Sequence, residues 1–150
     1  MSKFEVGVHA VILDDQERVL LGHRRDYDLW DLPGGGLEPG ELPTEGVIRE
    51  TKEETGLEVE VERLFGVGVT AESRLGFVFY CRVTGGELTP TDEADAVDFF
   101  AGNELPANIP PRKREMIKCA FEHPAEIVFG HVTSVSGKQW LAEQLEKNIK

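Results

Sequence analysis

The sequence predicts an α+β fold, an α/β/α sandwich in which helices flank a mixed β-sheet. Three observations predict it. Apolar residues alternate with period two in several segments, the mark of half-buried strands. One segment, residues 43–56, carries helix punctuation at both ends. Strand-like and helix-like segments are interleaved without repeat, low-complexity tract or linker, so the 150 residues are expected to form one domain with a sizeable core.

The elements follow in order. In residues 4–14, Phe4, Val6, Val8, Ala10 and Ile12 share one parity, which gives a strand. Residues 14–17 are polar and read as a turn. Residues 18–23 read as a second strand, expected to pair with the first as a hairpin. Leu29 to Leu32 is a short extended piece, and Pro33 disfavours helical backbone at its end. A glycine loop, Pro33-Gly34-Gly35-Gly36, comes next. Over residues 43–56, Pro43 suits the first helical position and Gly56 the left-handed C-terminal cap. Leu42 has no side-chain oxygen to cap the first turn, and Gly46 costs about 1 kcal/mol relative to Ala. This helix therefore depends on packing, with Thr44, Val47, Ile48, Thr51 and Thr55 as its expected core face. Residues 57–64, 65–71, 75–82 and 96–100 read as strands, with a turn at Gly85-Gly86. Residues 103–111, with three prolines, form a loop. Residues 112–123 read as a helix with Met116, Ile117 and Phe121 on its core face and a solvated basic start at Arg112-Lys113-Arg114. Residues 137–150 suggest a terminal helix through Trp140, Leu141 and Leu145.

Composition narrows the function classes. A chain 40% hydrophobic and 29% charged is that of an ordinary globular protein. Cys81 and Cys119 are far apart and outside any metal-like spacing, which fits a reduced, cytoplasmic protein better than a disulfide scaffold. No apolar run reaches the roughly 20 residues needed to span a bilayer, so no membrane partner is expected. A formal charge of −12 repels a nucleic-acid duplex. It repels small phosphates as well, unless cations intervene.

Glu50, Glu53 and Glu54, spaced i, i+3, i+4, fall on one face of the helix beside the core face. Their mutual repulsion needs compensation. Arg49 reaches Glu53 at i+4, and a divalent cation would compensate the others. Oxygen-only ligands favour Mg²⁺, Mn²⁺ or Ca²⁺ over zinc. A bare Glu-x-x-Glu-Glu would still be read as a solvated acidic face. The wider spacing decides otherwise: Gly35, five residues, Glu41, seven residues, then Arg49-Glu50-Thr51-Lys52-Glu53-Glu54-Thr55-Gly56-Leu57. This resembles the Nudix box, the signature of the Nudix hydrolase family. Seven fixed positions match, an agreement that average residue usage produces about once in 10⁸ starting points. Thr51 departs from the pattern, standing where a bulky aliphatic residue is usual. The flanking Trp30-Asp31-Leu32-Pro33-Gly34-Gly35 and the later Asp92-Glu93-Ala94 and Phe99-Phe100 extend the resemblance more weakly.

The resemblance implies hydrolysis of a nucleoside diphosphate linked to another moiety, a small-molecule nucleotide substrate, with Mg²⁺ or Mn²⁺ as cofactor. It implies metal binding by Glu50, Glu53, Glu54 and the Gly34 carbonyl, with Glu41 and Arg49 bracing loop and helix. Gly35 and Gly56 serve backbone geometry. The general base is Glu93 on a later loop or Glu53 on the helix. Arg24 and Arg25 are candidates for substrate phosphate, against a reading as surface charges. Trp30 is a candidate to stack on a base, against a reading as core. His9 is a pocket candidate or a satisfied structural histidine. Phe100 and Trp140 could supply an apolar patch for a homodimer. ADP-ribose, a nucleotide sugar and a nucleoside triphosphate all remain open as substrates. Two rival classes are a nucleotide sensor without turnover and an isomerase with a reactive cysteine.

Overall fold

The computed structural model describes residues 3–70, 73–132 and 146–147. Its core is a five-stranded mixed sheet built on β1 (Glu5–Ile12) and β6 (Arg74–Gly86), which run parallel side by side. β4 (Gly34–Gly36) pairs antiparallel on the outer side of β1. β5 (Leu57–Thr70) pairs antiparallel on the other side of β6, and β8 (Val128–Val132) lies parallel to β5 at the edge. A second, three-stranded antiparallel sheet has β2 (Val19–Arg24) between β3 (Trp30–Asp31) and β7 (Ala94–Phe100).

Alternation along β1 divides the core in two. Val8, Ala10 and Ile12 join Phe79, Cys81, Leu57, Val59 and Val47 of α1 (Pro43–Thr55). Val11, of opposite parity, joins Val78, Tyr80, Phe65 and Ile117 of α2 (Pro111–Phe121). The helices thus cover opposite faces of the large sheet, and the expected sandwich is observed. The Tyr80 hydroxyl fixes α2 by donating to the Ala120 carbonyl at 2.9 Å in the core.

Several local expectations are corrected. β1 and β2 do not form a hairpin; they lie in different sheets, and their backbones pair, among the described residues, only at the bridge between Leu13 and Val19. The turn between them is tight, because the Asp14 carboxylate accepts the Gln16 and Arg18 backbone N–H groups. Beyond it the strands diverge, each to partners remote in sequence. The two strands expected at 57–64 and 65–71 are one, β5, irregular between Val61 and Arg63 and between Leu64 and Gly66. On α1, Val47, Thr51 and Thr55 are fully buried as expected, but Thr44 and Ile48 face solvent. The buried arc is turned instead towards Glu50, because β4 covers that flank. The Thr51 hydroxyl is accommodated by donating to the Val47 carbonyl at 2.7 Å. Leu42 caps no first-turn N–H, as expected, but Glu45 reaches back to accept the Leu42 N–H at 3.0 Å. Phe100 is no free patch: it packs edge-on against Trp30 at 5.0 Å and joins the α2-side core. Trp140 and most of the expected terminal helix lie outside the described residues.

Tyr80→Phe should lower unfolding stability by about 1 kcal/mol in urea titrations, the loss of one buried neutral hydrogen bond.

Candidate active site

The last turns of α1 meet three other segments. On one flank lies β4, held to β1 in register His9 with Gly34 and Val8 with Gly35. The Gly34 N–H donates to Glu54 Oε2 at 3.1 Å. Gly35 lies directly against Glu50, and a Cβ there would stand 2.5 Å from Glu50 Oε1. The absent side chain is what lets the glycine strand press on this carboxylate. On the other flank runs the segment between β6 and β7. It crosses Gly56, whose φ of +79° suits glycine and whose added Cβ would lie 2.4 Å from the Glu87 carbonyl oxygen. That segment ends at Glu93, whose carboxylate approaches Glu50 and Glu53, with one oxygen from each of the three within 4.8 Å of the others.

Arg49 is the cation at this cluster. Its guanidinium donates to Glu41 at 2.7 and 2.9 Å, to Glu50 at 3.1 Å, to Glu53 at 3.2 Å and to the Gly36 carbonyl at 3.1 Å. Glu41 holds its pKa well above the ordinary value, with Glu53 and Glu50 adding. Arg49 therefore joins the helix to the glycine strand and to the Glu41 loop. It does not neutralise the far side. Burial pushes the Glu54 carboxyl up to about 8; the Gly34 N–H opposes this, and the charges of Glu50, Glu93 and Asp31 add to it. Burial also raises Glu50, against the pull of Arg49. An oxygen-only cluster this crowded, with one guanidinium at its edge, fits a hard divalent cation.

Behind Gly34 lies a buried polar cluster that sequence reasoning missed. Lys113, on α2, is 7% exposed, not part of a solvated basic face. Its ammonium lies 2.9 Å from His9 Nε2 and 3.4 Å from Asp31 Oδ1. Burial, with Lys113 adding, drives the His9 pKa down to about 3, so the ring is neutral and its Nε2 accepts from Lys113. Burial lowers Lys113, and Asp31 pulls it back up. Burial alone would raise Asp31, but the Lys113 charge and the Leu32 backbone N–H hold it below the ordinary range. The parity of β1 placed His9 opposite Val8. Nothing local revealed that a lysine a hundred residues later would meet it.

The other candidates have intramolecular partners. Arg24 pairs with Asp26 and lies over the Tyr27 ring. Arg25 Nε donates to the Thr91 carbonyl at 2.7 Å. Trp30 is half-buried, edge-on to Phe100 and to His23. Cys81 is buried in the α1-side core, and burial pushes its thiol up to about 12, so Cys81 is no ready thiolate nucleophile.

A model of the NUDIX domain matches residues 3–119. An 8-oxo-dGDP phosphatase of Homo sapiens is 46% identical over 59% of this chain and 28% of its own length. An ADP-ribose pyrophosphatase of Methanocaldococcus jannaschii is 36% identical over 82% of this chain and 74% of its own. Among solved structures, a NUDIX hydrolase from Nitrosomonas europaea superposes with a TM-score of 0.79 at 24% identity, covering 89% of this chain and 81% of that one. The chain spans between 28% and 66% of the length of the first three curated relatives it matches.

Lys113→Met should destabilise the protein by about 3–5 kcal/mol, since it strands the Asp31 carboxylate in the interior. Adding Asp31→Asn should recover much of that loss in denaturant titrations; a Lys113→Met variant of wild-type stability would contradict the buried pair.

Proposed function

The chain belongs to the NUDIX family, and on that premise we propose that it hydrolyses a phosphoanhydride bond in a nucleoside diphosphate linked to another moiety, with Mg²⁺ or Mn²⁺ as cofactor. The observation that carries the reading is the convergence of Glu93 with Glu50 and Glu53, from two separate elements, beside the half-buried Glu54. Helical spacing pointed to Glu50 and Glu53 and the family resemblance to Glu93; their meeting is a further, geometric support.

In this reading Glu50 and Glu53 hold the cation, with Glu54 and the Gly34 carbonyl at the inner edge of the same site. The cation supplies Lewis acidity towards the phosphate oxygens and lowers the pKa of bound water. Glu93, exposed and outside the helix, orients the attacking water and takes its proton. Glu53, the other exposed carboxylate of the cluster, is the alternative base. Arg49 and Glu41 fix the approach of helix and loop without touching substrate. Gly35 gives Glu50 its place, and Gly56 lets the Glu93 segment pass. Thr51 keeps the helix seated by satisfying its own hydroxyl within the helix.

The relatives include an ADP-ribose pyrophosphatase and an 8-oxo-dGDP phosphatase. What these ligands share is the phosphoanhydride bond, and the carboxylate cluster addresses that shared part. A nucleotide sensor on this fold is the alternative reading. An enzyme should release phosphate or a nucleoside monophosphate from at least one of ADP-ribose, a nucleotide sugar, 8-oxo-dGDP and a nucleoside triphosphate in the presence of Mg²⁺. Tight binding without turnover across that panel would favour the sensor. With the active substrate in hand, Glu53→Gln and Glu93→Gln should each lower turnover by at least ~100-fold. Near-normal turnover of Glu93→Gln would remove Glu93 from the reaction.

A further inference from the structure

Glu93 does not reach the helix carboxylates by being part of their element; it is brought there by a segment with no regular structure. The bonds that hold that segment converge on one residue. The Thr91 hydroxyl donates to the Glu54 backbone carbonyl at 3.2 Å. The same oxygen accepts the backbone N–H of Glu93 at 3.3 Å and of Ala94 at 3.4 Å. A hydroxyl has one hydrogen to give and two lone pairs to share, so this one is fully used. The main chain of Thr91 is engaged as well. Its N–H donates to the Ala94 carbonyl at 2.8 Å, and its carbonyl accepts from Arg25 Nε at 2.7 Å.

The surrounding contacts fix the segment but do not replace this bond. The Thr89 N–H donates to the Thr55 carbonyl at 2.9 Å, which seats the segment on the helix end upstream. The Arg25 N–H reaches the Glu93 carbonyl at 3.4 Å, which ties Glu93 to the end of β2. Among the described residues, only the Thr91 hydroxyl joins the peptide of Glu93 itself to the helix that carries Glu50, Glu53 and Glu54. Its partner on that helix is Glu54, whose side chain is bonded to Gly34 on the opposite flank. One residue of α1 therefore links the glycine strand through its carboxylate and the Glu93 segment through its carbonyl.

We infer that Thr91 is a positioning residue, whose hydroxyl sets the distance between the Glu93 carboxylate and the carboxylates of α1. The inference rests on the reading of Glu93 as part of the reaction. It assigns Arg25 a supporting role in the same frame, holding the Thr91 carbonyl. Thr91→Val keeps the shape of the side chain and removes all three hydroxyl bonds. Thr91→Ser keeps the bonds and drops a methyl group.

The test is a double-mutant cycle of Thr91→Val with Glu93→Gln, read by turnover and, separately, by titration of Mn²⁺ into the protein without substrate. Thr91→Val alone should lower kcat by about 10-fold or more with KM little changed. It should also weaken Mn²⁺ binding by about 10-fold. In the Glu93→Gln background the same substitution should change either quantity by less than about twofold, because the group it positions is gone. Thr91→Ser should restore both. An equal loss from Thr91→Val in both backgrounds would show a general distortion and overturn the inference. No loss from Thr91→Val, with Glu93→Gln inactive, would overturn it while leaving the role of Glu93 intact. An active Glu93→Gln would overturn the role of Glu93 first, and that result is read from the single variant.

Discussion

Repulsion among the carboxylates of Glu50, Glu53, Glu54 and Glu93 is the constraint around which this protein is arranged. Glu50 and Glu54 are substantially buried, where like charges interact more strongly than at the surface. Folding brings them together all the same, and each contact around them limits the resulting cost. Arg49 spreads its donors over Glu41, Glu50 and Glu53. The Gly34 N–H meets Glu54. Lys113 stands behind the glycine strand, paired with Asp31. These groups hold the geometry without discharging the centre, and the raised pKa of Glu54 reflects first its burial and then the neighbouring carboxylates. A site held in place yet short of positive charge is prepared for a cation.

The two faces of the large sheet contribute differently. On the α1 side, Val47, Thr51 and Thr55 bury the helix against β1, β5 and β6 and so fix the height of the glutamates above the sheet. On the α2 side, Ile117 and Tyr80 seat the second helix. That helix carries Lys113 to His9 of β1 and Asp31 of β3. The glycine strand, with no side chains of its own, is held by its pairing with β1 and by the Gly34 bond to Glu54 of α1.

Much of this was legible in the sequence because it depends on local pattern. The bounds of α1 follow from Pro43 and Gly56, and the split core follows from the parity of β1 and β6. The glutamates were found by their spacing, and Glu93 by a weaker resemblance. What was not legible depends on partners distant in the chain. Parity says which way a side chain points but not which strand lies beside it, so β1 and β2 were paired wrongly. Helical phase put Ile48 in the core, yet β4 covers the flank of Glu50 instead. The basic run at Arg112-Lys113-Arg114 looked uniform, and only the packing of α2 separates buried Lys113 from its neighbours. β8 went unnoticed because Val128–Val132 is short and interrupted by Gly130. The substrate is not encoded in the carboxylate cluster, since in the proposed reading that cluster addresses the bond every such ligand shares.

The central claim is that Glu50 and Glu53 hold a divalent cation with Glu93 poised beside it. Crystals soaked in Mn²⁺ and measured for anomalous scattering test it most directly. The account predicts one strong peak bonded to carboxylate oxygens of Glu50 and Glu53, with Glu93 bonded to it or one water away, and its loss in Glu50→Gln. A peak elsewhere on this acidic surface, with none between these three side chains, would contradict it.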